Sequence, residues 1–163
     1  MKLIVNYNPA IGTFNLGDEI ISDSIFNEMH QIYQNAFQVN ISTHYEIPKC
    51  FADAVSKSKY KFVLGTNLLR NNISDFWPIY TELGPMILIG CCWKPEEVKT
   101  SDNGAEMYKS VLSKEYIYSV RDSYTEKRLK DIGLLNVINT GCPTIWKFNQ
   151  SFCNLIPRKK LIL

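Results

Sequence analysis

Apolar runs and amphipathic stretches alternate along this chain. Leu3-Ile4-Val5 is a short apolar run that predicts a first strand. After a loop holding Pro9, Gly12 and Gly17, a helix is expected from about Asp18 to Tyr33. Ile21, Ile25, Met29 and Ile32 recur there at i, i+4, i+8 and i+11, one apolar stripe for packing on a sheet. Phe37 to Ile41 alternates apolar and polar as a second strand, and Phe51 to Lys57 is a weaker helix candidate. Tyr60 to Leu64 predicts a third strand, ending at Gly65. The unbroken run Met86 to Ile89, ending at Gly90, suits a fourth strand covered on both faces. A helix from about Gly104 to Ser113 turns Met107, Tyr108, Val111 and Leu112 inward, and Tyr116 to Val120 reads as a fifth strand. Ser123-Tyr124-Thr125-Glu126 has the form of a capping box and opens a last helix, which stops at Gly133. Val137-Ile138 forms the core of a sixth strand.

Strands alternating with helices predict an α/β domain, a Rossmann-like parallel sheet flanked by helices. Ligands of such sheets bind beyond the carboxyl ends of the strands. The loops 6–18, 65–72, 90–94, 121–125 and 140–144 are therefore where chemistry is expected. After Pro157, the sequence Arg158-Lys159-Lys160-Leu161-Ile162-Leu163 reads as a charged lead into a further strand.

Composition narrows the classes. The 163 residues suit one domain, and 45% hydrophobic with 21% charged residues is an ordinary globular balance. A net charge of +2 with scattered basic residues argues against nucleic acid as a partner. No segment approaches the ~20 apolar residues of a membrane span, and no signal-peptide pattern opens the chain. A cytoplasmic location is expected. The five cysteines (Cys50, Cys91, Cys92, Cys142 and Cys153) include no CxxC pair, so neither a disulfide framework nor a metal site is expected. The Asn-x-Ser sequons at Asn40, Asn72 and Asn149 read as chance matches without a secretory signal. No cofactor is indicated.

The first loop does not bind phosphate in either familiar way. Gly12 and Gly17 have P-loop spacing, but Asp18-Glu19 stands where Lys-Ser/Thr is required, and Phe14 replaces the second glycine of a dinucleotide fingerprint. Carboxylates at a helix start favour the helix dipole and a hydroxyl-bearing ligand, from which Asp18 could accept a proton. The plainer reading is a cap, with Asn15 or Asp18 satisfying backbone donors. Ser119-Val120-Arg121-Asp122-Ser123 places an arginine fork, suited to carboxylate or phosphate, where a strand hands over to a helix. There the plainer reading is an Arg121–Asp122 pair that fixes the turn. His30 and His44 neighbour no nucleophile motif and take no catalytic role. Trp77, Trp93 and Trp146 could each stack on a sugar ring, though core or domain-interface packing is the more common use; Trp93, just past a strand end, is the best placed to stack.

Taken together, Asn15-Leu16-Gly17-Asp18-Glu19, Ser119 to Thr125, Leu129, Gly133 and Asn139-Thr140-Gly141-Cys142-Pro143-Thr144 resemble the polysaccharide pyruvyl transferase family. The likeness is to its N-terminal domain and spans nearly the whole chain. It implies one half of a two-domain, glycosyltransferase-B-like fold, with residues 1–157 as the N-terminal domain and 158–163 beginning a second. It also implies transfer of a pyruvyl group from phosphoenolpyruvate to two hydroxyls of a cell-surface glycan or its precursor. By this resemblance Arg121 holds the donor and Asp18 is a base or binds an acceptor hydroxyl. Asn15, Gly17, Glu19, Asn67, Trp93, Asp122, Ser123, Thr140 and Gly141 would lie around the substrates. The chain departs from the family in having one glycine in Gly65-Thr66-Asn67 and Cys142 where Asp is usual before Pro143, and the family's second domain is expected to be missing from these 163 residues. Two other classes fit the same residues: a non-catalytic remnant or binding module, self-associating or paired with a second-domain partner, and half of a nucleotide-sugar glycosyltransferase.

Overall fold

The structure is a computed structural model and describes residues 2–45, 47–65, 67–70, 84–94, 102–148, 151 and 154. Trp77, Cys153, two of the sequons and the expected strand at 158–163 lie outside the described residues.

The chain alternates strand and helix as the hydrophobic pattern requires. In order, the elements are β1 (Lys2–Asn8), α1 (Leu16–Ile32), β2 (Ala36–Ser42), α2 (Lys49–Ser56), β3 (Tyr60–Leu64) and β4 (Ile87–Ile89). They continue with α3 (Asp102–Val111), β5 (Tyr118–Val120), α4 (Ser123–Asp131) and β6 (Val137–Asn139), closing on a 3₁₀ turn at Pro143–Ile145. The first four strands form one parallel sheet in the order β2-β1-β3-β4, and β5 and β6 form a parallel pair. Backbone hydrogen bonds among the described residues join these groups: Gly90 N donates to Ser119 O at 2.8 Å, and Arg121 N to Cys91 O at 2.9 Å. The order across the molecule is thus 2-1-3-4-5-6, with a topological switch point between β1 and β3, the position where open α/β sheets bind ligands.

Side-chain alternation along β1 and β3 divides the core in two. Ile4, Phe62, Leu64 and Ile87 pack with Ile21, Ile25 and Met29 of α1. Val5, Tyr7, Val63 and Leu88 belong to the other cluster, with Met107, Tyr108 and Val111 of α3 and Leu129 of α4. Helices therefore cover both faces, which is why β3 and β4 read as nearly continuous apolar runs. Gly65, closing β3, permits the tightest of these approaches: a Cβ there would lie 2.5 Å from Ile21 Cγ2 and 3.0 Å from Gly90 O.

Three expectations are corrected. The stripe of α1 ends at Met29, because Ile32 is 70% exposed. The helix stops at Ile32, and non-helical Tyr33 instead lays its ring against Tyr60 and Phe62 at 5.8 and 5.9 Å. The fifth strand is shorter than the pattern suggested, since Tyr116 and Ile117 are exposed ahead of it. Finally, the cap of α4 is Asp122, whose carboxylate accepts from Thr125 N at 2.7 Å, and Ser123 is the first helical residue. The stop at Gly133 is as expected, with φ +89° in the left-handed region that glycine tolerates. No helix among the described residues is long and apolar enough to cross a membrane.

Candidate active site

The carboxyl ends of β1, β2, β3 and β5 converge on a cleft of about 550 Å³ at the switch point. Each wall is fixed by local hydrogen bonds.

Beyond β1, the Asn8 side chain accepts from Ala10 N and from Ser22 Oγ of α1, both at 2.8 Å, tying the loop to the helix. Asn15 then caps α1, its side chain accepting from Gly17 N at 3.0 Å. A Cβ at Gly17 would press to 3.1 Å from that oxygen, so glycine leaves the cap its room. With Asn15 serving as cap, the half-buried Asp18 carboxylate is left to the cleft. Glu19 is exposed and lies outside the lining.

Parallel pairing of Asn8 with Ser42 brings the end of β2 beside this loop. Ser42 Oγ donates to Ile11 O at 2.7 Å, and His44 Nε2 lies 2.9 Å from Pro9 O. A carbonyl can only accept, so Nε2 carries the proton and Nδ1 keeps its lone pair in the neutral ring. Thr43 beside it is 2% exposed, and its hydroxyl has no hydrogen-bond partner among the described residues. Buried hydroxyls are nearly always satisfied. Thr43 lines the cleft, with its hydroxyl oxygen itself sealed from solvent.

Across the cleft stand two arginines. Arg70 is anchored by its backbone: its N–H donates to Tyr108 Oη at 2.8 Å, and that hydroxyl donates to Arg70 O at 3.0 Å. Arg121 follows β5, with Nη2 donating to Asn67 Oδ1 at 2.8 Å. That takes one of five N–H donors; among the described residues the others have no protein partner. Cys92 Sγ also donates to Asn67 Oδ1, so one amide oxygen ties together the ends of β3, β4 and β5. Burial pushes the Cys92 thiol up to about 11, outweighing the opposite pull of Arg121.

The structure thus gathers Asn15, Gly17, Asp18, Asn67 and Arg121 of the expected residues in one lining. It places the others elsewhere. Trp93 is 1% exposed, sealed against Tyr108 at 5.2 Å and under Arg128 at 5.4 Å, with no face open to a sugar ring. Asp122 is committed to its cap and Ser123 is exposed on α4. Thr140 meets Ser119 hydroxyl to hydroxyl at 2.5 Å, a contact that fastens β6 to β5, and Gly141 N donates to Asn139 Oδ1 at 3.0 Å within the turn that ends β6. Sequence reasoning missed Thr43, His44 and Arg70. Arg70 falls within the loop 65–72 and was within reach of the strand-end rule, whereas the loop after β2 was passed over. Among the described residues no group of three His, Cys, Asp or Glu side chains could hold a metal ion.

Chemically, the lining pairs an anion-binding wall, Arg70 and Arg121, with a proton-accepting wall, Asp18 and His44. The family model for polysaccharide pyruvyl transferases matches residues 15–162, from the Asn15 cap onward. No curated protein and no solved structure matches the chain.

Proposed function

This chain belongs to the polysaccharide pyruvyl transferase family, and from that premise we propose that its cleft binds phosphoenolpyruvate and two hydroxyls of a glycan and joins them as a pyruvyl ketal. The observation that carries the proposal is the presence of Arg70 and Arg121 together with Asp18 and His44 in one lining.

The reaction needs charge at one end and proton transfer at the other. One acceptor hydroxyl adds to C2 of the enol ester while C3 takes a proton and becomes the methyl group. The second hydroxyl then replaces phosphate at C2, and phosphate leaves with its bonding electron pair. Arg121, with donors to spare, holds the donor's carboxylate or phosphate, and Arg70 offers a second fork. Asp18 takes the proton of an attacking hydroxyl. Exposed Phe14, Leu16 and Ile20 near the start of α1 form an apolar rim. The rim supports a second, glycosyltransferase-B-like lobe facing the cleft.

The test is ligand-dependent thermal stabilisation of the wild type and Arg121→Ala. Phosphoenolpyruvate is expected to raise Tm in the wild type, and the variant to bind about tenfold or more weakly, as for a lost charge-assisted bond. Equal stabilisation of both proteins would remove Arg121 from the donor site. Stabilisation by a nucleotide sugar in place of phosphoenolpyruvate would assign the cleft to glycosyl transfer.

A further inference from the structure

We propose a second anion site, at the amino ends of β3 and β4, built around Lys61 and suited to a phosphate group. It lies at the opposite end of the strands from the cleft and does not depend on the reading of the cleft.

Lys61 is 6% exposed on the α3-facing side of β3. Its ammonium has two contacts, to Ser56 O and Ser58 O at the end of α2, each at 3.4 Å. Both are at the outer limit of hydrogen bonding, and an ammonium has three donors. Among the described residues no carboxylate pairs with it: the ion pairs there are Lys109–Glu106 and Lys130–Glu126. Burial without a counter-charge pulls the Lys61 pKa below the ordinary lysine value. Nearly buried charges are normally paired, so a bound anion is the missing partner.

The surroundings fit that anion. Lys61 lines a groove of about 460 Å³ together with Lys59, Lys109, Lys114 and Ser113. Set against Glu115 in the lining and Glu106 paired to Lys109, these four lysines leave a charge of +2, equal to that of the whole chain. Ser113 is buried and its hydroxyl accepts from Glu115 N at 3.2 Å, so the hydroxyl proton is free to donate. Lysines are point charges without the arginine fork that matches planar carboxylates, and several around one pocket suit tetrahedral phosphate. The volume falls within the range of small-molecule sites, room for a phosphate monoester as well as the free ion.

The experiment is an NMR titration of the full chain with inorganic phosphate and, separately, glycerol 3-phosphate, with chloride holding ionic strength constant. The amides of Lys61, Ser113 and Lys114 are expected to shift together and saturate. In Lys61→Met, which keeps the side-chain length and removes the charge, that binding should weaken about tenfold or more. Any shifts the wild type shows around Arg121 should persist in this variant, which separates the groove from the cleft. Tighter binding of glycerol 3-phosphate assigns the site to esters, and equal binding assigns it to the free ion. Unmoved groove amides, or identical titrations of wild type and Lys61→Met, overturn the proposal. If Lys61→Met does not fold, the Lys59→Ala/Lys114→Ala double variant replaces it, with the same loss expected and the same null result overturning the site.

Discussion

Replacing Asp122 with alanine removes the carboxylate that accepts from Thr125 N at 2.7 Å and caps α4. Loss of such a cap costs about 0.5–2 kcal/mol. Here the deprived N–H belongs to a residue with 0% exposure, so water does not replace the lost acceptor. The cost therefore falls in the upper part of that range, about 1–2 kcal/mol. For a domain of this size each kcal/mol moves Tm by about 2–4 °C, so Asp122→Ala should melt about 2–8 °C below wild type. Asp122→Asn is the control. Its amide oxygen accepts the same bond and asparagine ranks with aspartate as a cap, so it should stay within about 0.5 kcal/mol. Thermal melts followed by circular dichroism, with urea unfolding alongside, read both variants. An Asp122→Ala melt within about 1 °C of wild type, far below the shift expected from cap loss, would refute the cap's contribution. An equal fall in Asp122→Asn would refute it too, since charge and not the bond would then be the stabilising factor.

Gly65→Ala should overpack the contact between β3 and α1, because its Cβ would meet Ile21 Cγ2 at 2.5 Å and the backbone Gly90 O at 3.0 Å. A loss of about 1–3 kcal/mol in urea unfolding is expected, and an unchanged midpoint would mean that the helix yields freely. Cys92 gives a pH signature: burial raises its pKa from the ordinary 9.0 to about 11. The folded chain keeps a proton that the unfolded chain releases, so the contribution is whole below about pH 9 and lost as pH rises through about 11. Subtracting the stability of Cys92→Ser, which does not titrate there, should leave a difference that declines over this window. A flat difference would count against burial of the thiol.

Much of the fold was legible because the periodicities of Ile21, Ile25 and Met29, and of Met107, Tyr108 and Val111, report one buried face directly. What escaped the sequence depended on partners far along the chain. Asp122 and Ser123 are both good caps, and no local rule chooses between them. Arg121 N bonds to Cys91 O, which keeps residue 121 in the sheet and starts the helix directly after Asp122. Trp93 follows a strand end, as a ligand-stacking residue would, yet its bridge to Leu69 and the cover of Tyr108 draw it inside. His44 has no telling neighbour in sequence; it reaches the cleft because β2 lies in parallel register beside β1. Arg121 and Asp18, more than a hundred positions apart, were legible because each follows a strand end in a sheet whose ligands gather there.

The union of β4 with β5 has a mechanical consequence. Among the described residues, the polar ties across this line include, beside the two main-chain bonds at Gly90 and Arg121, Gly90 N to Ser119 Oγ at 3.2 Å, Arg121 to Asn67, Trp93 N to Thr125 Oγ1 at 2.8 Å, and the Arg128 guanidinium over the Trp93 ring. The line is a seam between a four-stranded block and the β5-α4-β6 block, and the cleft straddles it, with Asp18 and His44 on one side and Arg121 on the other. An occupant gripped from both sides acts as a staple. Amides along the seam should then exchange with solvent more slowly when the cleft is filled, while those in the middle of β1 keep the pace they had when it was empty.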